Sequence, residues 1–340
     1  MAKPILKDVA LDAGVSVATA SLVLSGKGNV SSGVRKKVLE SAKHVGYIRV
    51  QPKRISSRSH RIVVLTYITS EWSYVWNLTT PIISELEKAV VEQGYSLTIQ
   101  PVTGNTTVDE LYQMIVRLKP AGLASIHYVD KDLFSNLENS NIPIVIINNS
   151  LFQNQFHSVC VDDYQGAYDG ASHLMNLGHK NFLFLEYIRT VEANVIADRF
   201  FGFRKAVEEH GIHFPDENRI TVPFYDIHSV IRLMAPFFEK PKRERPTAIY
   251  SHDDRYAAIV IKALSGIGIS VPEDVSLIAT GDVLDYELPV TPGITTMKID
   301  SKMLGAVAGD HLIKIIKNEP EIYGIKIVQR LIDRGSCSSV

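Results

Sequence analysis

The sequence predicts an α/β protein, with an N-terminal three-helix head followed by a two-lobed body of parallel sheets. Three observations lead there. The first 47 residues carry apolar positions at helical spacing, interrupted by two tight turns. From Ile62 onward, short β-branched runs alternate with amphipathic helical stretches. Charge also divides sharply: residues 1–61 hold twelve Lys or Arg against three Asp or Glu, a net of +9, whereas the remainder nets −10. A chain of 340 residues that is 45% hydrophobic can bury the cores of two or three domains.

The head begins with Leu6, Val9, Ala10 and Ala13, one narrow apolar stripe. Gly14 stands where that helix must end and the chain must turn. Ser16 is a suitable N-cap with Thr19 three residues on, and the second helix, Val17 to Ser25, turns Val23 and Leu24 inward before Gly26 stops it. A third helix starts near Ser31 or Ser32 and runs through Val34, Val38, Leu39, Ala42 and Val45 to Gly46. Two helices joined by so short a Gly-containing turn read as a helix-turn-helix, the alternative being an ordinary helical hairpin. The basic charge favours the first reading, because it suits phosphate contacts and steering toward nucleic acid.

Arg49 to Arg61 has no core-forming pattern, and Pro52 with its Ser and Arg neighbours marks a linker. The body then alternates: strand Ile62–Tyr67, helix Pro81–Gly94, strand Ser96–Gln100, helix Val108–Leu118, strand Gly122–Ile126, helix Leu133–Asn139, strand Ile144–Asn148. The rhythm resumes past a break near Asp162: helix Gly166–Leu177, strand Phe182–Leu185, helix Arg199–Glu209, strand Arg219–Val222. Helix His228–Phe238, strand Ala248–Ser251, helix Arg255–Gly266 and strand Ser276–Thr280 complete it. Two halves of a sheet covered on both faces bind ligands at the carboxyl ends of their strands, so a cleft between the halves is the expected site.

Other classes find no support. Cys160 and Cys337 lie too far apart in sequence to suggest a disulfide framework or a zinc site. No apolar signal segment or membrane-spanning run is present, so a cytoplasmic location and no membrane partner are expected. There is no nucleophile elbow, phosphate loop or metal-spaced His/Glu cluster, so neither catalysis nor a cofactor is expected.

The head resembles the lactose-repressor (LacI/GalR) family of bacterial regulators. The matching residues are Lys7-Asp8-Val9-Ala10, Ala13-Gly14-Val15-Ser16, Thr19, Ser21, Val23-Leu24, Val38-Leu39, Ala42 and Gly46-Tyr47. The body resembles that family's periplasmic-binding-protein-like sensor through Val161-Asp162-Asp163, Gly166-Ala167, His173-Leu174 and Leu177-Gly178-His179. Arg199 with Gly202-Phe203, Pro246-Thr247-Ala248-Ile249, Asp253-Asp254, Val271 to Ser276, Thr295-Thr296 and Arg334-Gly335-Ser336 extend the likeness. The resemblance implies a homodimer, sometimes a tetramer, on near-palindromic operator DNA, usually a repressor, controlled by a small polar effector such as a sugar or related metabolite. A DNA-binding domain is expected over 1–48, a basic hinge over 49–61 and an effector and dimerisation domain over 62–336. Its lobes are expected at about 62–162 with 293–320 and about 163–292 with 321–336. A solute-binding protein of the same fold, without a DNA role, is the competing reading; it leaves the basic head without a purpose.

Several residues depart from the family's pattern. Leu22 stands where many members carry Arg, and Ser25 where Asn is usual. The base-facing positions Val17, Ala18 and Leu22 are therefore apolar, which suits thymine methyls rather than guanine. Ser16, Thr19 and Ser21, with Lys3, Lys27 and Asn29, suit phosphate or sugar contacts that position the head. The hinge is about two residues short and lacks the family's wedge leucine. Ile55 is of a size to unstack a base step. The alternative is an irregular linker that contributes only Lys53, Arg54, Arg58 and Arg61 to phosphates.

For the effector, the resemblance implies Arg199 and Asp253 or Asp254 from the second half, with Asp282 from the loop Thr280-Gly281-Asp282. Such groups make charged hydrogen bonds to hydroxyls or a carboxylate, although an interlobe or helix-end ion pair is the plainer role. The family's usual Phe-Asp-Asp is Thr-Gly-Asp here, one carboxylate fewer. In the first half, Trp72, Tyr74 and Trp76 crowd the loop after the first strand. Their rings suit stacking on a sugar or a planar base, or else a dimer interface or core.

Overall fold

This computed structural model describes residues 6–24, 30–45, 59–67, 76–187, 193–222, 226–317 and 324–340. The chain divides into two compact units, 1–57 and 58–340.

The described residues of the first unit form three helices, α1 (Leu6–Asp12), α2 (Val17–Leu24) and α3 (Ser32–His44). Gly14 turns between the first two at φ +62°, a conformation natural to glycine. Ser16 Oγ accepts from the Thr19 amide at 3.0 Å, so the cap expected of it is formed. Val9, Ala10, Ala13, Ala20, Val23, Val38 and Ala42 form the core. Leu39 is 48% exposed: Val38 and Ala42 hold the inner face, and the next residue lies about 100° around the helix.

The second unit has two six-stranded sheets. The first lobe contains β1 (Arg61–Tyr67), β2 (Ser96–Val102), β3 (Gly122–Ile126), β4 (Ile144–Ile147), β5 (His157–Val161) and β11 (Gly324–Ile327) in the order β11-β5-β4-β3-β1-β2. All its pairings are parallel. Helices α4 (Trp76–Val91) and α11 (Ser301–Ile316) cover one face; α5 (Val108–Leu118) and α6 (Lys131–Asn139) cover the other.

The second lobe contains β6 (Phe182–Tyr187), β7 (Arg219–Val222), β8 (Ala248–Ser251), β9 (Ser276–Gly281), β10 (Thr295–Lys298) and β12 (Arg330–Ile332) in the order β12-β10-β9-β8-β6-β7. Only β12, on β10, runs antiparallel. Helices α7 (Asp163–Asn176) and α8 (Ala193–Glu209) lie on one face; α9 (Ile227–Glu239) and α10 (Asp254–Gly266) lie on the other.

Helix pairs α7/α8 and α4/α11 approach at glycine. A Cβ on Gly202 would run into the Tyr164 carbonyl, and one on Gly305 into that of Ile82.

The late exchange of segments between lobes differs from expectation. Thr295–Lys298, expected in the first lobe, is a strand of the second, because Ile294 and Met297 fill that lobe's cores. Gly324–Ile327, expected in the second, pairs with β5, and Ile327 packs in the first lobe. The chain thus crosses between lobes at 162–163, near 299 and at 328–329. Strand β5 was also invisible to periodicity: all five residues are buried, and two are His and Ser. Among the described residues, no helix is long and apolar enough to cross a membrane, and no group of His, Cys, Asp and Glu is placed to hold a metal.

Candidate functional site

Two surfaces carry the residues singled out by the sequence. On the head, the buried Ala20 and Val23 fix the orientation of α2. Val17 and Leu22, 45% and 44% exposed, then share the outer face with exposed Ala18. Ser16 is exposed, while Thr19 and Ser21 are half-buried beside that face. No cationic side chain stands on α2; Arg35, Lys36, Lys37 and Lys43 are all on α3. Lys3, Lys27, Asn29, Arg54 and Ile55 lie outside the described residues.

The second surface is the cleft between the lobes of the body. Its walls are the carboxyl ends of strands: His127 after β3, Asn148 after β4, Tyr187 ending β6, His252 after β8 and Gly281 ending β9. This is where open α/β sheets place ligands. His127 and Asn148 both hold left-handed backbones, φ +59° and +58°, a strain that clusters at binding sites. The cavity between these walls measures about 50 Å³, room for a few waters.

Arg199 is the central charge. Ile196, Phe200, Phe203, Ala206 and Val207 bury one face of α8 and carry Arg199 inward with them. Its Nε donates to Asp163 Oδ1 at 2.7 Å, and Nη1 donates to the His252 carbonyl at 2.8 Å, with His252 Nε2 at 3.2 Å. Nη2 makes no hydrogen bond among the described residues, and the side chain lines the cleft. Burial opposes its charge, but the Asp163 carboxylate overcomes this and lifts the guanidinium pKa above its ordinary value. Arg199 is thus both half of a buried ion pair and a cleft donor.

Asp253 caps α10. Its Oδ1 accepts from the Tyr256 amide at 2.6 Å, and Oδ2 accepts from the Tyr187 hydroxyl at 2.9 Å and from Arg255 Nη2 at 3.2 Å. Against burial, Arg255 and His252, with these donors, hold its carboxyl below the usual range. Asp253 lines the cleft as an anion.

Two expected effector residues are employed elsewhere. Asp254 is not among the residues that line the cleft: Oδ2 accepts from the Val283 and Leu284 amides at 2.8 and 3.0 Å and from the Tyr286 hydroxyl at 3.0 Å. Burial and the charge of Asp253 push its pKa up to about 6. Asp282 accepts from Thr296 Oγ1 at 2.9 Å and pairs with Arg334 and Lys298. Both acids hold the loop after β9, while the buried Asp254 Oδ1 makes no hydrogen bond among the described residues. The same packing explains the unusual Gly281. A Cβ there would stand 2.7 Å from Asp254 Oδ1, so the carboxylate near this loop comes from α10 instead.

Trp72 and Tyr74 lie outside the described residues; Trp76 opens α4, its side chain also outside them. Sequence reasoning missed His127, Asn148, Tyr187 and His252, which the strand-end rule identifies once the strand ends are known.

The lobes are joined across the cleft by side-chain bonds. Asn77 Nδ2 donates to the Val283 carbonyl at 3.1 Å. Asn194 Nδ2 donates to Ser150 Oγ at 2.8 Å and Asn149 Oδ1 at 3.2 Å, and Ser150 Oγ donates to Asp198 at 3.3 Å.

Comparison with known proteins matches residues 5–49 to the family described as bacterial regulatory proteins, lacI family. Residues 171–337 match the periplasmic binding protein-like domain. The HTH-type transcriptional regulator DegA of Bacillus subtilis is 28% identical over 316 residues, 89% of each chain. The HTH-type transcriptional repressor PurR of Escherichia coli is 29% identical over 337 residues, 97% of this chain and 96% of its own. The fold matches that of the transcriptional regulator CelR–cellobiose complex with a TM-score of 0.70 at 20% identity, covering 98% of this chain and 100% of that one. It matches the lac repressor dimer bound to operator and the anti-inducer ONPF with a TM-score of 0.66 at 22% identity, covering 99% and 100%.

Proposed function

Since the chain belongs to the lacI family of bacterial regulatory proteins, we propose that it is a dimeric repressor whose grip on operator DNA is set by a small polar effector held between its lobes. The observation that carries the reading is the union in one chain of an outward-facing helix-turn-helix and a cleft armed with Arg199. Nothing comparable supports an enzyme or a free solute carrier, since the named relatives are regulators.

Val17, Ala18 and Leu22 meet base edges in the major groove, favouring thymine methyls. Ser16, Thr19 and Ser21 bind phosphates or sugars, joined by Lys3, Lys27, Asn29 and Arg54, with Ile55 at the minor groove. In the cleft, Arg199 and Asp253 offer donors and acceptors to a polyhydroxylated or carboxylated ligand, against which Trp72, Tyr74 and Trp76 stack. The neighbouring CelR structure holds cellobiose and the lac repressor structure holds operator and ONPF, partners of the classes assigned to this chain. The protein works in the cytoplasm, where its operator is.

The effector acts by preferring one arrangement of the lobes. Its entry must spread walls now joined by Asn77, Ser150 and Asn194. An operator isolated by binding-site selection, titrated at several salt concentrations, tests the reading. Six to ten neutralised phosphates per dimer predict a loss of roughly 10³–10⁵ in affinity between about 50 and 200 mM salt. A log–log slope near zero would remove the electrostatic basis. Leu22→Arg adds a guanine reader and should change the selected consensus; an unchanged consensus would place Leu22 outside the groove.

A further inference from the structure

Two serine hydroxyls stand where the chain enters the body, just before β1 begins at Arg61. In a parallel sheet the covering helices run against the strands, so α4 and α5 both finish at the end where the strands start. The residues that precede β1 therefore meet the carboxyl end of α5 and the turn that leads from α4 into β2.

Ser59 is tied to the first of these. Its amide donates to the Lys119 carbonyl at 3.2 Å, and its Oγ donates toward the Leu118 and Lys119 carbonyls at 3.2 and 3.1 Å. These are carbonyls that a helix end leaves open. The turn that offers them is stiff: Lys119 closes α5 in the left-handed region at φ 46°, and Pro120 follows with its ring-fixed φ. The Ala121 amide then donates to the Arg61 carbonyl at 2.8 Å. His60 is tied to the second. Its carbonyl accepts from the Ser96 amide at 2.6 Å and from Ser96 Oγ at 3.2 Å, and its ring lies 5.9 Å from that of Tyr95.

Backbone bonds alone suffice to start a strand. The two hydroxyls are additions to them: Ser59 is half-buried, Ser96 is exposed, and neither lines the cleft. What they hold is the last stretch of the body before the linker. We infer that Ser59 and Ser96 are positioning residues for operator binding, a clamp that fixes where and in which direction the linker leaves the body. The inference rests on the reading of the chain as an operator-binding dimer and deepens it. Dimeric helix-turn-helix proteins read half-sites at a set separation, so two linkers with fixed roots prescribe that separation, and ordering them beforehand lowers the entropy lost on binding.

Operator binding by the full-length protein tests it. The operator recovered by binding-site selection is lengthened or shortened at its centre by one or two base pairs, and each duplex is titrated by fluorescence anisotropy. The wild type should lose about tenfold or more in affinity on the altered spacings. Ser59→Val combined with Ser96→Ala removes both hydroxyls and keeps the backbone bonds. It should bind the selected operator about three- to tenfold more weakly, and prefer it to the altered spacings by less than about threefold. Ser59→Thr, which has the shape of the valine but keeps a hydroxyl, should stay within about twofold of the wild type on every duplex. Melting followed by circular dichroism should be the same in all three proteins, whereas a merely structural bond would lower the melting temperature and leave the spacing preference intact. If the double variant melts early, the single variants Ser59→Val and Ser59→Thr are compared on the same duplexes, and equal spacing preference overturns the clamp. A folded double variant with wild-type affinity and spacing preference overturns it as well, as does a wild type that binds all spacings alike. These failures leave the repressor reading standing. A wild type for which selection enriches no sequence overturns that reading, and the clamp with it.

Discussion

The two lobes share one architecture and differ in where they keep charge. In the first lobe the strand ends that face the cleft are His127 and Asn148, polar side chains on strained left-handed backbones. In the second they are held among Arg199, Asp163, Asp253 and Arg255, tied by hydrogen bonds of 2.7 and 3.2 Å. Charges in a low-dielectric wall persist only when paired, and the pairing fixes their geometry. The second lobe therefore contributes a rigid, oriented electrostatic surface. The first contributes the polar side chains of His127 and Asn148.

The largest expected effect follows from that pairing. Arg199→Ala leaves Asp163 buried without its cation, which costs about 3–5 kcal/mol when one partner of a buried pair is removed. Chemical denaturation should show that loss in the absence of any ligand. A stability within about 1 kcal/mol of wild type would mean that the pair is solvated and the second lobe no more rigid than the first. For this reason Arg199→Lys, rather than Ala, is the variant suited to ligand measurements.

How far the sequence could be read follows the same contrast. The head and the alternation of strands and helices were legible, because turn glycines, caps and apolar spacing are local signals. Strand β5 and the late exchange of Thr295–Lys298 and Gly324–Ile327 were not, since which sheet a short apolar run joins is settled by distant neighbours. In the cleft, Arg199 and Asp253 could be named from resemblance. Asp254 and Asp282 could be named too, but not the loop amides, Thr296 and Arg334 that their side chains meet, which a linear reading does not bring near. His127 and Asn148 carry no local signal beyond standing at strand ends.

A test of shared architecture comes next in size. Gly202→Ala in the second lobe and Gly305→Ala in the first each force a Cβ onto a neighbouring helix's carbonyl. Overpacking of this kind costs about 1–3 kcal/mol, so both should lower the midpoint of denaturation comparably. A large loss at one and none at the other would break the equivalence of the lobes outside the cleft.

A further effect distinguishes the lobes by pH. Asp254 in the second lobe keeps its proton up to about pH 6, whereas an unfolded aspartate releases it near 3.9. Between these values the folded state binds more protons, so its contribution, fully present below about pH 4, is lost as pH rises through about 6. At about 1.4 kcal/mol per unit, that is on the order of 2–3 kcal/mol. Asp254→Asn, neutral throughout, should gain on the wild type across this interval and hold a constant advantage above it. The first lobe behaves oppositely. His311, 3.1 Å from His157, has its pKa lowered by burial and by Lys314. Its contribution is present above the unfolded value near 6.5 and lost as pH falls through the lowered folded value. His311→Gln should therefore flatten the acid side of the profile where Asp254→Asn flattens a loss on the alkaline side. Melting temperatures of both variants from pH 4 to 8, each subtracted from wild type, read the two signs directly. Curves of the same sign would mean that charge burial does not separate the lobes in the way their cleft residues indicate.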